Sequence, residues 1–278
     1  MPSNPGSNAA ATASPPPETS VLAASNTAST PALGPLDPAP AEAAVTTYSG
    51  YLGVLMLASN LPSLPGDLDH ADTFGVPIGR RIVTGAWPDK VVQTASGLRA
   101  GRVALGLTQV LRAMEKGGAR AITTSCGFLV LLQKELQAAV KVPVVTSSLL
   151  QLPGLLASQA QVGVLTLPAS KLGSEHLRAA GVPRERLQDV LVQGVNAKGE
   201  FAQALSANRQ TMDGAQAATE LAAAAALLRQ RAPQLQYLVL ECSRMAPYRL
   251  GIEAASGLKT LTLADDERLV QPWRQPAA

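Results

Sequence analysis

Short apolar runs alternate with longer amphipathic stretches along most of this chain, and that alternation limits the folds it can adopt. Several runs are apolar at successive positions, as in "YLGVLMLA", which is typical of strands buried on both faces of a sheet. Seven runs are predicted as strands: 51–58, 119–125, 140–147, 161–167, 189–195, 236–241 and 258–264. Alternating strands and helices predict an α/β fold with mainly parallel sheets flanked by helices.

Two of the intervening stretches give plain helical signals. Residues 96–118 carry apolar side chains three and four positions apart and end in Gly-Gly, a common helix stop. Residues 212–233 are built from strong helix formers and end at Pro233.

No G-x-G-x-x-G motif follows the first strand, and no Walker-type G-K-[ST] occurs. The sequence therefore predicts no nucleotide cofactor, and its two cysteines and two histidines show no paired spacing for a metal.

The first 45 residues differ in composition from the rest. They consist mostly of Pro, Ala, Ser and Thr, contain no Lys or Arg, and have few large apolar side chains. Such a segment buries too little surface to offset its ordering entropy, so we predict a disordered tail over residues 1–45. A secretory signal begins with basic residues, which this tail lacks. A tether and a mispredicted start codon are the two interpretations left open.

Composition also narrows the partners that we expect. No run approaches the roughly 18 apolar residues that span a bilayer, so no membrane association is predicted. A net charge of +3 with scattered Lys and Arg, and 3% aromatic residues, argue against nucleic-acid binding. Two cysteines without a signal sequence indicate a reducing, cytoplasmic setting. We expect a small carboxylate or amino-acid-like substrate, with a homodimer left open.

Each of the two cysteines directly follows an apolar run. Cys126 comes after "AITTS", and Cys242 comes after "QYLVLE". Ligands of open α/β sheets bind at the carboxyl ends of strands, so each thiol lies where such folds place chemistry. A helix beginning at Gly127 would aim its first backbone amides at Cys126 and favour the thiolate. A single free cysteine often only fills space in a core, but two at strand ends favour a functional pair.

Two similar lobes facing each other would present one thiol from each side of a cleft. A racemase without a cofactor needs such a pair, because one thiolate removes a proton and the opposite thiol delivers one to the other face. The reference pKa of cysteine, near 8.5, allows both forms close to neutral pH. Two such sulfurs would be separated by roughly 6 to 9 Å, which is too far for a disulfide.

The motifs "TTSCGF" and "LECSRMAPY", with "VPVVTSSLLQLP" between them, resemble those of the aspartate/glutamate/hydantoin racemase superfamily. The branch that they resemble is its aspartate/glutamate racemase family proteins, whose opening strand and Pro-Gly-Asp loop are similar to "GVLMLASNLPSLPGDLDHADTF". The resemblance covers residues 50–265. It implies a two-lobed fold with a cleft between the lobes, and it implies that Cys126 and Cys242 are the acid/base thiols.

The resemblance also implies how a substrate would be held. Residues around the two cysteines match positions that bind the substrate carboxylate: Thr124, Ser125, Gly127 and Ser243. Ser147 and Ser148 are similar to another wall of the pocket, with a helix N-cap as the alternative. Asn60 is predicted to line the pocket as well.

Two positions depart from the family pattern. Relatives usually carry Asp-Thr or Asp-Ser after the first strand, where this chain has Ala58-Ser59. That acid assists the first cysteine in members that resemble glutamate racemase. The second motif has Ser243-Arg244 where glutamate racemases carry Thr-His. These two departures weigh against specificity for glutamate, and the substrate is left open.

The leading functional prediction is an isomerase, a cofactor-independent racemase or epimerase acting at the α-carbon of an amino acid or a cyclic derivative. An enzyme similar to arylmalonate decarboxylase or maleate isomerase is the alternative, because those relatives also place thiols in a two-lobed cleft. A non-catalytic relative that binds a small molecule is the second alternative, and Ala58 is its main support.

The sequence also predicts where each lobe begins and ends and what the basic segment after Cys242 does. We predict a first lobe over 46–149 plus 250–278 and a second lobe over 150–249, with the strand "LKTLTLA" returning to the first lobe. Arg244, Tyr248 and Arg249 follow the second cysteine and are predicted either to reach a distal substrate group or to lie on an exposed loop.

Overall fold

The computed structural model describes residues 49–83 and 103–274. Strands within these ranges form two four-stranded sheets in which all described pairs are parallel. The strands are β1 Tyr51–Leu57, β2 Ile78–Val83, β3 Ala119–Thr124, β4 Val144–Val145, β5 Val162–Thr166, β6 Val190–Gly194, β7 Tyr237–Leu240 and β8 Lys259–Leu261. The predicted α/β fold of two similar lobes is confirmed.

The two sheets repeat the same strand order. The first lobe is built on the sheet β2-β1-β3-β4, and the second lobe is built on the sheet β6-β5-β7-β8. In each sheet the first strand along the chain pairs with the second strand on one side and with the third on the other. Strands β3 and β7 are therefore equivalent, and residues that follow them occupy equivalent places in the two lobes.

Helices connect the strands of each lobe. They are α1 Val103–Lys116, α2 Gln133–Ala138, α3 Leu152–Leu156, α4 Ser174–Ala179, α5 Glu200–Ser206, α6 Gly214–Arg231, α7 Arg249–Ser256 and α8 Gln271–Arg274. The long α6 begins where Asp213 Oδ1 accepts hydrogen bonds from two backbone amides at 3.0 Å, a normal N-cap. Of the helix predicted over 96–118, the part before Val103 lies outside the described residues, as does the predicted disordered tail.

All seven predicted strands are present, but the sequence reasoning missed β2. Its sequence, "IGRRIV", carries two arginines and shows no apolar run. Among the strands that the structure describes, β2 is an edge strand that pairs only with β1, so most of its side chains contact solvent and need not be apolar. Edge strands of this kind leave a weak hydrophobic signal.

The predicted return of "LKTLTLA" to the first lobe is wrong. β8 pairs with β7 in the second sheet, with Leu238 opposite Thr260. The reason is local: β7, α7 and β8 form one short crossover unit, and such a unit places its second strand beside the first. The segment after β8 does contact the first lobe, since Leu263 and Leu269 pack with Leu52 and Val54 of β1.

An apolar core joins the two lobes. Phe128 and Leu149 from the first lobe pack in one cluster with Val164 and Val239 from the second. Separate clusters under each sheet, formed with α1 in the first lobe and α6 in the second, bury the other faces. Among the helices that the structure describes, none has the length and apolar character needed to cross a membrane.

Candidate active site

The two cysteines occupy equivalent positions in the two lobes. Cys126 lies two residues past the end of β3, and Cys242 lies two residues past the end of β7. A six-residue 3-10 helix follows each of them, Gly127–Leu132 in the first lobe and Ser243–Tyr248 in the second. Both thiols are free, and both are partly exposed to the same cavity.

This cavity has a volume of about 430 Å³ and is bounded by loops of both lobes. Its wall is mostly apolar, with a few polar groups near the thiols. The lining residues are Met56, Leu57, Ala58, Ser59, Ser125, Cys126, Gly127, Phe128, Leu167, Pro168, Ala197, Ala202, Leu205, Ser206, Asn208, Glu241, Cys242 and Arg244. A concave, largely apolar site with a few convergent polar groups is typical of small-molecule binding.

Four of the sequence-predicted site residues line this cavity: Ser125, Cys126, Gly127 and Cys242. The Ser125 hydroxyl accepts a hydrogen bond from the Leu57 N–H at 2.9 Å, which fixes it against the end of β1. The structure thus brings both thiols and the two residues flanking Cys126 to one surface.

Five predicted residues lie outside the cavity wall: Asn60, Thr124, Ser147, Ser148 and Ser243. Thr124 is fully buried, and its hydroxyl donates to the Thr146 carbonyl at 2.8 Å. Ser147 accepts a hydrogen bond from the Leu149 N–H at 3.2 Å and caps the 3-10 helix Ser148–Gln151. The N-cap alternative is therefore the one that the structure supports for Ser147.

Ser148 and Ser243 join the two lobes instead of facing a ligand. The Ser148 hydroxyl donates to the Leu240 carbonyl at the end of β7, at 2.7 Å. The Ser243 hydroxyl donates to the Ser125 carbonyl at 3.0 Å. The expectation that these hydroxyls line the pocket is corrected, because each is used by a backbone carbonyl of the opposite lobe.

Asn60 is hydrogen-bonded to a residue that lines the cavity, Asn208. Its backbone N–H donates to Asn208 Oδ1 at 2.8 Å, and its side-chain amide donates to the Asn208 carbonyl at 3.2 Å. Asn208, which sequence reasoning did not single out, lines the cavity and has a positive φ of 46°. Asparagine tolerates this left-handed conformation better than most residues, which explains the residue type at this turn.

Glu241 is a carboxylic acid in the cavity wall that the sequence reasoning also missed. Only 2% of its surface is exposed, and its Oε2 accepts a hydrogen bond from the Thr166 hydroxyl at 2.8 Å. Burial raises the pKa of this carboxyl to about 7, although the Thr166 hydrogen bond opposes the shift. The sequence does contain a signal for this residue: an acid ends the apolar run "QYLVLE" directly before Cys242.

The carboxyl of Glu241 fits only because residue 127 is glycine. A Cβ atom added at Gly127 would overlap Glu241 Oε1 and crowd the Glu241 backbone. The loop after β3 and the loop after β7 therefore meet at this point, and the acid lies beside both cysteines.

The environment keeps both thiols protonated. Burial raises the pKa of Cys126 to about 12, and the negative charge of Glu241 adds to the shift, while the amides of Phe128 and Leu129 offset part of it. Burial also raises the pKa of Cys242, again with Glu241 as the next cause. The expectation that backbone amides favour a Cys126 thiolate is thus corrected, because burial and Glu241 outweigh them.

Arg244 is not the exposed loop cation of the alternative interpretation. Its guanidinium lies 2.7 Å from the Asp67 carboxylate, and the two side chains are 13% and 2% exposed. It also donates to the Pro62 carbonyl at 3.1 Å. Arg249, in contrast, pairs with Asp265 outside the cavity.

Within residues 49–83 and 103–274, no cluster of three or more His, Cys, Asp or Glu could hold a metal ion.

We predict that Gly127→Ala lowers the free energy of unfolding by about 1–3 kcal/mol, because the new methyl group overpacks against Glu241. Chemical denaturation measures this change. Gly154→Ala is the matched control, since a Cβ atom there meets nothing within 4 Å. Equal stability of Gly127→Ala and the parent protein would contradict the close contact.

We predict that Glu241 makes the protein less stable as pH rises. Its carboxyl titrates near 4.5 in the unfolded chain and near 7 in the fold, so the folded state alone holds the proton between these values. Stability should fall by about 2–3 kcal/mol from pH 5 to pH 8, and Glu241→Gln should remove this loss. Urea unfolding at several pH values measures it.

Glu253→Gln is the control for this titration. Hydrogen bonding from the Thr260 hydroxyl lowers the pKa of Glu253, so its stabilisation is lost only toward acid pH. This variant should keep the loss between pH 5 and pH 8. If Glu241→Gln kept it too, the assignment to Glu241 would be wrong.

The chain is similar to a lyase in sequence and to solved racemases in fold. No protein-family model matches the chain. A dimethylsulfoniopropionate lyase from Durusdinium sp. clade D is 27% identical over 74% of this chain and 69% of the relative. The solved glutamate racemase of Francisella tularensis, in complex with D-glutamate, superposes with a TM-score of 0.52 at 12% identity, over 81% of this chain and 80% of that chain.

Allantoin racemase from Pseudomonas fluorescens superposes with the same TM-score, 0.52, at 14% identity, over 81% of this chain and 90% of that chain. At these identities the superpositions establish the fold. The chain therefore has the same α/β fold as these solved glutamate and allantoin racemases.

Proposed function

We propose that the protein is a cofactor-independent racemase or epimerase that acts at the α-carbon of an amino acid or related carboxylate. The observation that carries the proposal is the placement of two free thiols at equivalent strand ends of two similar lobes, both lining one cavity. Two acid/base groups that approach from opposite lobes can reach opposite faces of a bound carbon.

In the proposed reaction one cysteine, as thiolate, takes the α-proton of the substrate. The electron pair left on carbon delocalises into the carboxylate, and the carbon becomes planar. The opposite thiol then donates its proton to the other face and becomes the thiolate. Cys126 and Cys242 exchange these roles in the reverse direction, so the pair carries the same number of protons before and after each turnover.

Glu241 supplies the base that generates the thiolate in this proposal. Both thiols have raised pKa values, and Glu241 has a pKa of about 7, so near neutral pH the negative charge resides on the carboxylate. When this carboxylate accepts a thiol proton, its own charge disappears, and with it the second-largest cause that raised both thiol pKa values. Glu241 thereby replaces the acid that is missing at Ala58.

The polar part of the wall provides groups for the substrate carboxylate. The Ser125 hydroxyl and the backbone at Gly127 lie beside Cys126, and the Arg244 side chain lines the cavity near Cys242. The apolar remainder of the wall, including Phe128 and Leu167, keeps bulk water away from a carbanion.

Single-cysteine variants test the two-base mechanism. In heavy water, Cys126→Ser and Cys242→Ser should each lose racemisation by about 100- to 10,000-fold. Each should still exchange the α-proton of the one enantiomer whose hydrogen faces the remaining thiol. The chain has only these two cysteines, so each variant is the matched control for the other. Proton NMR with a panel of amino acids and hydantoins measures both rates.

If no compound in this panel exchanges its α-proton with the parent protein, racemisation of that class is ruled out. Binding of a panel member with unchanged affinity in the double variant, without turnover by the parent, would instead establish a non-catalytic binding protein. Calorimetry on the same variants measures that affinity.

A second candidate function is a lyase reaction, which is favoured by the similarity to the dimethylsulfoniopropionate lyase over 74% of this chain. Elimination begins with the same step, removal of a proton next to a carboxylate. The electron pair then forms a carbon–carbon double bond, and dimethyl sulfide leaves with the electrons of the broken carbon–sulfur bond. One thiolate is sufficient for this reaction.

Product analysis separates the two candidates. A lyase should convert dimethylsulfoniopropionate to acrylate and dimethyl sulfide, and the loss should be severe in only one of the two cysteine variants. A racemase should yield no acrylate and should depend on both cysteines. Gas chromatography of dimethyl sulfide, with the double variant as the blank, makes the distinction.

A further inference from the structure

A second cavity adjoins the one that holds the thiols. Its volume is about 280 Å³, and it shares two lining residues, Leu205 and Arg244, with the first cavity. Asp67 and Tyr248 supply the other polar groups of its wall, and most of the remaining wall is apolar. A ligand beside the thiols that extended past Arg244 would enter this space.

Two buried polar atoms in this wall have no partner. Asp67 is 2% exposed, and its Oδ2 accepts hydrogen bonds from the Leu64 N–H and from Arg244, both at 2.7 Å, while its Oδ1 accepts none. The hydroxyl of Tyr248 is also buried without a partner. Within the described ranges only four buried side-chain atoms lack partners, and two of them belong to residues that line this one cavity. Buried polar groups are normally paired, so such atoms call for an explanation.

The charges and donors of the wall define what would fit. The Asp67 carboxylate and the Arg244 guanidinium, 2.7 Å apart, neutralise each other, so the cavity offers no net charge to an ion. Burial raises the pKa of Tyr248, and the Asp67 charge adds to the shift, so the phenol keeps its proton. The residues that line the cavity thus include one acceptor without a partner, Asp67 Oδ1, and one donor without a partner, the Tyr248 hydroxyl.

We propose that the cavity formed by Asp67, Arg244 and Tyr248 is a second subsite, which binds a neutral group that both donates and accepts hydrogen bonds, such as a carboxamide or ureido group at the far end of the substrate. This proposal rests on the proposed function for the position of the substrate carboxylate. A second carboxylate would place its charge against Asp67 Oδ1, and a methyl group would leave both unpaired atoms unsatisfied.

Calorimetric titration with matched compounds tests the subsite. The probes are succinamate and glutaramate, which end in an amide, the diacids succinate and glutarate, and pentanoate, which ends in a methyl group. We expect an amide to bind about tenfold more tightly than the matching diacid and pentanoate. Tyr248→Phe should weaken amide binding by about 3- to 10-fold and leave pentanoate unchanged.

Tyr237→Phe is the matched control. Tyr237 begins β7, at the end of the strand opposite to Cys242, and its ring lies 5.9 Å from Lys259 Nζ. This variant should bind all the probes as the parent does. Tyr248→Phe retains the ring that packs edge-on against Phe201, so the fold is expected to persist.

The remaining outcomes overturn the subsite. Equal affinities for amides and pentanoate would mean that the cavity holds only water. Tighter binding of the diacids, or no binding of either amide, would also contradict the proposal. So would an amide preference that survives in Tyr248→Phe. Deuterium exchange next to the carboxylate is measured separately. Exchange without amide preference leaves the proposed function intact, and amide preference without exchange leaves only the subsite.

Discussion

The loop after β3 and the loop after β7 meet at Gly127, where the absence of a side chain lets the Glu241 carboxyl lie against the backbone. Two hydrogen bonds hold the same junction, from Ser148 to the Leu240 carbonyl at 2.7 Å and from Ser243 to the Ser125 carbonyl at 3.0 Å. Each contact ends on backbone next to a thiol or a strand end. The relative position of the two cysteines is therefore set by short backbone contacts, which are stiffer than contacts between long side chains.

This junction has an electrostatic consequence. A buried carboxyl with a hydroxyl as its hydrogen-bond partner is unfavourable when ionised, and the fold meets that cost by raising its pKa to about 7. The same charge raises the pKa of both thiols, so three weak acids compete for protons within one cavity. Such clusters of perturbed groups occur at functional sites more often than in structural cores. A core that used Cys126 and Cys242 only to fill space would gain no stability from a buried acid that acts on both thiols.

The sequence predicted the fold well because its signals are local. Runs of buried apolar residues identified seven strands, and the two cysteine motifs identified the strand ends that form the cavity. The edge strand β2 was missed because its arginines are exposed to solvent, so the strand has no apolar run. Strand β8 was assigned to the wrong sheet because the sheet that a strand joins depends on the crossover before it. Sheet membership is a property of chain geometry that apolar runs do not encode.

Side-chain roles were harder to predict, for a different physical reason. Hydroxyls near the cysteines suit a carboxylate ligand, yet Ser148 and Ser243 satisfy carbonyls of the opposite lobe, which only the packed structure reveals. Glu241 was overlooked because an acid after an apolar run usually marks the point where a strand reaches solvent. In this fold the second lobe's strand end is covered by the first lobe, so the acid is buried.

Arg244 belongs to the second lobe but contacts the first lobe and lines both cavities. It follows Cys242 by two residues in the second lobe, yet it pairs with Asp67 and the Pro62 carbonyl of the first lobe. It lines both cavities, so a carboxylate that attracts it in the thiol cavity must compete with Asp67. Because Asp67 is almost fully buried, leaving it without its cation would be costly. If the proposed function is right, substrate binding is linked through this one guanidinium to the contact between the lobes, and the substrate that it favours is one that contacts Arg244 without removing it from Asp67.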